Sequence, residues 1–181
     1  MGKRFPTISS RLQTFIEAQK IFFVGTAGGA DTRVNVSPKG MDSLRVLAPD
    51  RVVWLNVTGS GNETAAHILE NDRMTIMFCA FEGAPMILRL YGQAKIYHPD
   101  SPEWTTLAPL FPPLPGARQI FDVSIYEVQT SCGMAVPLYS FEEDRDALNK
   151  WAVNKGEEGI QQYWKDRNEV SLDGKRTDIE Q

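Results

Sequence analysis

Thr58, Gly59, Ser60, Gly61, Asn62, Glu63 and Thr64 form the densest set of ligand-binding groups in this sequence. A strand, a glycine-interrupted loop and a helix start are expected there in that order. Free backbone amides, hydroxyls and the positive end of a helix dipole therefore converge on one point, which suits an anion and above all a phosphate. Ser60 and Glu63 also have the spacing of a capping box, and an ordinary capped helix start explains those two residues equally well. A cap does not require two glycines together with Thr58 and Thr64, so both readings stand on spacing alone. Glu63 has to turn its carboxylate away from any phosphate.

A second candidate is the stretch from Asn35 to Gly40, containing Val36, Ser37 and Lys39, at a strand end. Lys39 could place a cation beside a ligand there, although a solvated hairpin lysine is the commoner fate. Arg89 interrupts an apolar strand and must either pair with a carboxylate or face a site, because a buried guanidinium keeps its charge. Cys132 and Gly133 follow the last strand, where the glycine permits close approach to a ligand and equally well makes a simple turn.

Other chemistry is absent from the pattern. The two histidines, His67 and His98, belong to no HExxH motif and no Cys/His cluster, so no metal is expected. His67 stands one helical turn after Glu63, which predicts a local pair between them. Gly59, Ser60 and Gly61 lack the GxSxG spacing of a nucleophile elbow. A dinucleotide fingerprint fails because Thr64 replaces the third glycine and Cys79 and Ala80 lie where an acid is needed. A Walker loop fails too, since Lys39 is followed by Gly40 and Met41. No acid, base or nucleophile set emerges, and the catalytic residues remain unassigned.

The elements that must position these groups follow from periodicity. Ser9 and Ser10 cap a short helix with Leu12, Phe15 and Ile16 on one face. Strands are expected over 21–26, 33–36, 44–47, 51–57, 74–81, 86–97 and 120–129, with a helix from the Ser60 loop to near Asn71 and another beginning at Pro102. Residues 142–154 and 157–167 read as charged helices with apolar stripes. Hairpin connections and a single internal helix of any length argue for a closed or partly closed antiparallel barrel. Trp54, Trp104 and Trp151 are candidates for a surface buried against a second copy, or for the chain's own core.

At 181 residues, with 42% hydrophobic and 23% charged, the chain reads as one globular domain, with about 1–140 forming the barrel and 141–181 the C-terminal helices and tail. Nineteen Lys and Arg against 23 Asp and Glu give a net charge of −4, which argues against nucleic-acid binding. No apolar run approaches the roughly 20 residues needed to span a bilayer, and no signal-peptide core follows Met1, so a cytoplasmic location is expected. Cys79 and Cys132 form no disulfide framework, and Cys79 reads as a small core residue.

Several stretches together resemble the FMN-binding split-barrel proteins related to pyridoxamine 5′-phosphate oxidase. They are FFVGTA (22–27), VNVSPKG (34–40), WLNVTGSGNETAAHILEN (54–71), MFCAFEGAP (77–85), LRLYGQAKI (88–96) and TSCGMAVP (130–137). The resemblance implies a mainly β, α+β fold: a six-stranded antiparallel split barrel with flanking helices that forms a homodimer, with FMN in grooves between the chains. It places Val36, Ser37 and Lys39 beside the flavin ring and gives the ribityl phosphate to Thr58, Gly59, Ser60, Gly61, Asn62 and Thr64. Cys132 and Gly133 approach the ring, from the partner if not from the same chain. The family's name-giving oxidase has basic residues in the phosphate loop, where this chain has neutral ones beside Glu63, leaving Arg73 or Lys39 to compensate. Its C-terminal substrate signature is missing too, since the chain ends GKRTDIEQ.

The function implied is an FMN-dependent oxidoreductase acting on a small molecule that the sequence does not specify. The alternative is a non-catalytic module holding a flavin or another cofactor. Haem, which some related barrels bind, is a third reading, here without an obvious axial ligand.

Overall fold

The computed structural model describes residues 2–179. In chain order the elements are β1 (Lys3–Phe5), α1 (Ser10–Ala18), β2 (Phe22–Thr26), β3 (Asn35–Lys39), β4 (Leu44–Ala48) and β5 (Arg51–Val57). They continue with α2 (Glu63–Glu70), β6 (Arg73–Cys79), β7 (Ile87–Tyr97), α3 (Pro102–Leu107), β8 (Ala117–Ser131) and α4 (Ala147–Arg167). The strands make one antiparallel sheet in the order β3-β2-β6-β7-β8-β5-β4, with β1 added to β8. Its end strands β3 and β4 follow each other in sequence across the short turn 40–43 but are not paired to each other among the described residues, so the sheet curls into a split barrel.

The sheet has eight strands rather than the six expected. Seven of them, β2 to β8, are the ranges periodicity gives, and the one not anticipated is β1, which pairs with the far part of β8; β8 runs for 15 residues instead of the ten or so its clear alternation predicts. That length lets β8 pair with β7 along one edge while β5 and then β1 share the other. Strand β3 also runs on through Ser37, Pro38 and Lys39, where a turn was expected. Proline is tolerated because β3 is an edge strand, paired only with β2.

Alternation puts Phe22, Val24, Trp54, Met74, Ile76, Phe78, Leu88, Leu90, Phe121 and Val123 in the barrel core. Trp54 stacks on Phe121 with ring centroids 4.4 Å apart and planes within 7°. The unbroken apolar run of β5 buries both faces, because Val53, Leu55 and Ile120 pack outward under Leu107 and Phe111 of the α3 segment. Trp54 is thus core, Trp104 packs on this second cluster, and Trp151 meets Tyr163 edge to face. None of the three tryptophans forms an exposed interface patch. Cys79 is buried, as expected.

Ser9 caps α1 by accepting from Leu12 N, and Leu12 and Ile16 are buried. The C-terminal region forms the two helical stretches expected, separated at Gly156, but the first begins at Ala147 instead of 142. Residues 142–146 are exposed and non-helical, since Glu142, Glu143 and Asp144 repel one another and carry no apolar side chain to dock. Helix α4 starts at Ala147 and breaks at Gly156, whose φ is 69°. No helix among the described residues is long and apolar enough to cross a membrane.

Candidate functional site

Strand β3 alternates so that Asn35, Ser37 and Lys39 turn inward while Val36 and Pro38 turn to solvent. Lys39 Nζ lies 5.3 Å from the Trp54 ring centroid, a cation–π contact across the open seam of the barrel. Burial, with Arg118 adding repulsion, lowers its ammonium to about 8. Arg118, the second residue of β8, is 3% exposed. Its Nη2 donates to the Gly61 carbonyl at 2.8 Å and its Nη1 to Asn168 Oδ1 at 2.6 Å. With its amide turned to satisfy its neighbours, Asn56 also accepts from Arg118 Nε at 3.1 Å. Burial lowers the guanidinium to about 10, and Tyr163 opposes that shift.

Among the described residues no carboxylate pairs with either cation, and two neighbouring buried cations without a counter-charge are costly unless an anion joins them. The same seam holds buried polar atoms with no partner among the described residues: Ser37 Oγ, Trp54 Nε1, Gln119 Nε2 and both amide atoms of Asn62. Buried polar groups are ordinarily paired, so this concentration marks a place built for a ligand.

The loop 58–64 closes one end of the seam. Thr58 donates from N and Oγ1 to the Gly116 carbonyl at 2.8 and 2.7 Å, and its Oγ1 accepts from Trp164 Nε1 at 2.7 Å. The Gly59 carbonyl accepts from Asn168 Nδ2 at 3.1 Å. Ser60 is exposed, Asn62 and Thr64 are buried, and Thr64 Oγ1 accepts from Asn35 Nδ2 at 3.2 Å. The chain's own C-terminal segment thus covers the Thr58 and Gly59 side of the loop and leaves the Ser60 side open.

The expected capping box is not formed. Asn62, not Ser60, is the N-cap of α2 and makes no side-chain cap bond. Glu63 is therefore the first helical residue and cannot reach back as a third-position acid would. Its carboxylate instead accepts from Leu172 N at 3.0 Å, away from the loop amides. The expected Glu63–His67 pair is also replaced: His67 Nδ1 sits 3.1 Å from Thr26 Oγ1, within the barrel wall. The first-turn amides of α2 have no partner within the helix and remain available to an anion.

The structure joins the Lys39 strand end and the Thr58–Thr64 loop through Arg118. It does not bring Cys132 and Gly133 to them within one chain. The pairing path from Pro38 runs through Phe23, Met77 and Arg89 to Gln129, so the β8 end lies four strands away. Gly133 is fixed by its φ of 63° and by Met86 N, which a Cβ would meet at 2.9 Å. Val36 is 64% exposed on the outer face. Arg89 donates to Ser131 Oγ at 3.1 Å, and Arg73 to Asn71 Oδ1 at 3.1 Å.

Arg118 is a candidate site residue that sequence reasoning missed. It brings a buried guanidinium from β8 to the Gly61 carbonyl, whereas Arg73 is engaged by Asn71. The one signal for Arg118 is a lone arginine just before the alternating run IFDVSI.

A family model described as pyridoxamine 5′-phosphate oxidase matches residues 8–132. The chain is 34% identical over 189 residues to the pyridoxamine 5′-phosphate oxidase family protein ustO of Aspergillus flavus, an alignment covering 94% of this chain and 75% of that protein. The chain therefore belongs to the pyridoxamine 5′-phosphate oxidase family. Among solved structures, HupZ from Group A Streptococcus matches with TM-score 0.54 and 16% identity, over 74% of this chain and 99% of that one. A Lactobacillus delbrueckii protein solved as a candidate pyridoxamine 5′-phosphate oxidase matches with TM-score 0.53 and 19% identity, over 68% and 94%. These two likenesses concern the fold. The family match ends at residue 132, so α4 and the tail that covers the loop lie outside it.

Proposed function

We propose that the chain binds FMN in the seam between β3 and β5 and works as an FMN-dependent oxidoreductase on a small molecule. The carrying observation is the buried Lys39–Arg118 cation pair, set among orphaned polar atoms beside a helix start. FMN fits that set. Its phosphate suits the open amides of α2, the Ser60 hydroxyl and the Asn62 amide, with Arg118 compensating charge from behind Gly61. Its ring suits the apolar wall around Trp54, where Lys39 and Ser37 face inward. A cation at that position favours a reduced, anionic ring.

When bound, FMN supplies electron or hydride transfer, which fits a seam offering no triad of its own among the described residues. Lys39 holds a positive charge at the seam, Ser37 and Asn62 offer hydrogen bonds, and the Trp54–Phe121 stack excludes water. We place Val36, Cys132 and Gly133 at a homodimer groove completed by a second copy, because one chain does not bring them to Lys39.

An absorbance spectrum of the purified protein, with release and identification of any chromophore, tests the reading. A yellow preparation releasing FMN, with affinity reduced tenfold or more in Lys39→Met and in the double variant Ser60→Ala, Thr64→Ala, supports it. Colourless protein that fails to take up added FMN defeats it, and a released haem redirects the site to the other cofactor. Bleaching by NAD(P)H with a turned-over acceptor separates an enzyme from an inert flavin-holding module.

A further inference from the structure

Glu63 and His67 on α2 meet Asp173 of the C-terminal tail, with one ligand-capable atom of each within 4.8 Å of the others. His67 is 1% exposed. Its Nδ1 is engaged by Thr26 Oγ1, while its Nε2 has no hydrogen-bond partner among the described residues. A buried imidazole with one bare nitrogen, in a cluster with two carboxylates, calls for a ligand shared by all three residues.

Both carboxylates are fixed by donors that leave lone pairs free. Each Glu63 oxygen stands 3.0 Å from Leu172 N. Asp173, with a side chain 5% exposed, accepts from Arg33 N at 2.8 Å through Oδ2 and from the Arg33 guanidinium through Oδ1. Neither carboxylate reaches His67 Nε2 as a hydrogen-bond partner. Ligand atoms around one first-row dication, each about 2.0–2.2 Å from it, stand roughly 3–4 Å apart, so a small contraction seats an ion among these three.

We propose that Glu63, His67 and Asp173 bind a divalent first-row cation, zinc above all, which pins the C-terminal tail to the start of α2. One imidazole and two carboxylates form a mixed nitrogen and oxygen donor set that suits zinc, with water in the fourth position. The tautomer that donates from Nδ1 to Thr26 Oγ1 leaves the Nε2 lone pair for the metal, and that hydrogen bond fixes the ring. Arg33 and Leu172 orient the carboxylates in the same way. The ion bridges residues 63 and 173, just beyond the stretch where Asn168 covers Gly59, so it locks the tail over the loop. Cation binding stands on these three residues alone and does not depend on a flavin.

Metal-free, untagged full-length protein is titrated with zinc by calorimetry without FMN, alongside Asp173→Asn and Glu63→Gln. Asp166→Asn serves as control, since Asp166 is exposed and accepts from Gln162 one helical turn before it. The expected result is one zinc per chain, weakened at least tenfold by each of the two test variants and unchanged in the control. Zinc also slows tryptic cleavage after Lys175 and Arg176 in the wild type and does not do so in Asp173→Asn. Asparagine keeps an acceptor for Arg33 N but loses the ion pair to its guanidinium, so zinc's effect is read against each protein's own metal-free cleavage rate. Absence of zinc binding, or equal binding by wild type and both test variants, overturns the proposal.

Discussion

Asn168 Oδ1 accepts from Arg118 Nη1 at 2.6 Å, tying the residue that ends α4 to the arginine that opens β8. The same asparagine donates to the Gly59 carbonyl and accepts from Thr177 Oγ1 at 2.5 Å on its own carbonyl. Tail, loop and buried cation thus meet at one fully buried amide. A neutral acceptor holds the guanidinium without neutralising it, which leaves the charge available to a ligand.

Asn168→Ala removes two side-chain hydrogen bonds and leaves Arg118 Nη1 without its acceptor. A loss of about 2–4 kcal/mol is expected, because a buried charged donor is left unmade. Urea denaturation of the ligand-free protein measures it. Trp164→Phe, which removes the bond to Thr58 Oγ1 and keeps the packing, costs about 1 kcal/mol. Faster tryptic cleavage after Lys175 accompanies both losses if the tail is docked through this junction.

Lys39 gives the pH dependence a definite sign. Its ordinary value is 10.5, and burial together with Arg118 lowers it to about 8 in the folded chain. Between those values the unfolded chain holds a proton that the folded chain has released, so ligand-free stability rises with pH across the window. Below pH 8 the cost of keeping the buried ammonium, roughly 3 kcal/mol, is fully present. An anionic ligand works in the opposite direction by restoring the proton, so FMN affinity is strongest below pH 8 and weakens above it. Lys39→Met flattens both profiles and stabilises the ligand-free protein at pH 7. Denaturation and flavin titrations from pH 7 to 10 read both effects, and a flat wild-type affinity profile removes Lys39 from the ligand.

Much of the fold was legible because its signals are local. Alternation in β7 and the Ser101–Pro102 start of α3 each lie within a dozen residues and appear where expected. The order of β5, loop and α2 was legible for the same reason. Arg118 was not, because its partners Asn168 and Gly61 are 50 and 57 residues away and the clear part of its strand begins at Ile120. The capping box failed through a competitor 109 residues distant, the amide of Leu172, which no local pattern announces. Neutral loop residues were read correctly as lacking charge, but the guanidinium behind Gly61 depended on how β8 pairs with β5.

Gly92 shows how tightly β7 and β8 are fitted at the bulge between Tyr91 and Gly92. A Cβ at this position would lie 2.6 Å from Val123 Cγ1 and 2.7 Å from the Ser124 carbonyl oxygen. Neither a core side chain nor backbone can yield that distance without shifting the strand. Gly92→Ala is expected to cost about 3 kcal/mol or more, at the upper end of overpacking, with a matching fall in thermal midpoint. A midpoint within a degree of wild type would show that the bulge is softer than this packing implies.

The proposed dimer rests on the outer face of the sheet. Val34, Val36 and Tyr126 are 75%, 64% and 57% exposed there. Val34 and Tyr126 border a groove of about 370 Å³ that Gly25, Thr75 and Tyr91 also line. Large apolar side chains so exposed around a groove on a sheet face favour a second protein surface. Val36 is opposite Gly25, so a charge at position 36 enters that face without disturbing the core. Val36→Glu is expected to shift native mass from dimer to monomer and to lower flavin affinity, whereas Lys39→Met lowers affinity at unchanged mass. The pairing of those outcomes tests the groove itself, since a variant that stays dimeric with full affinity moves the interface to another face.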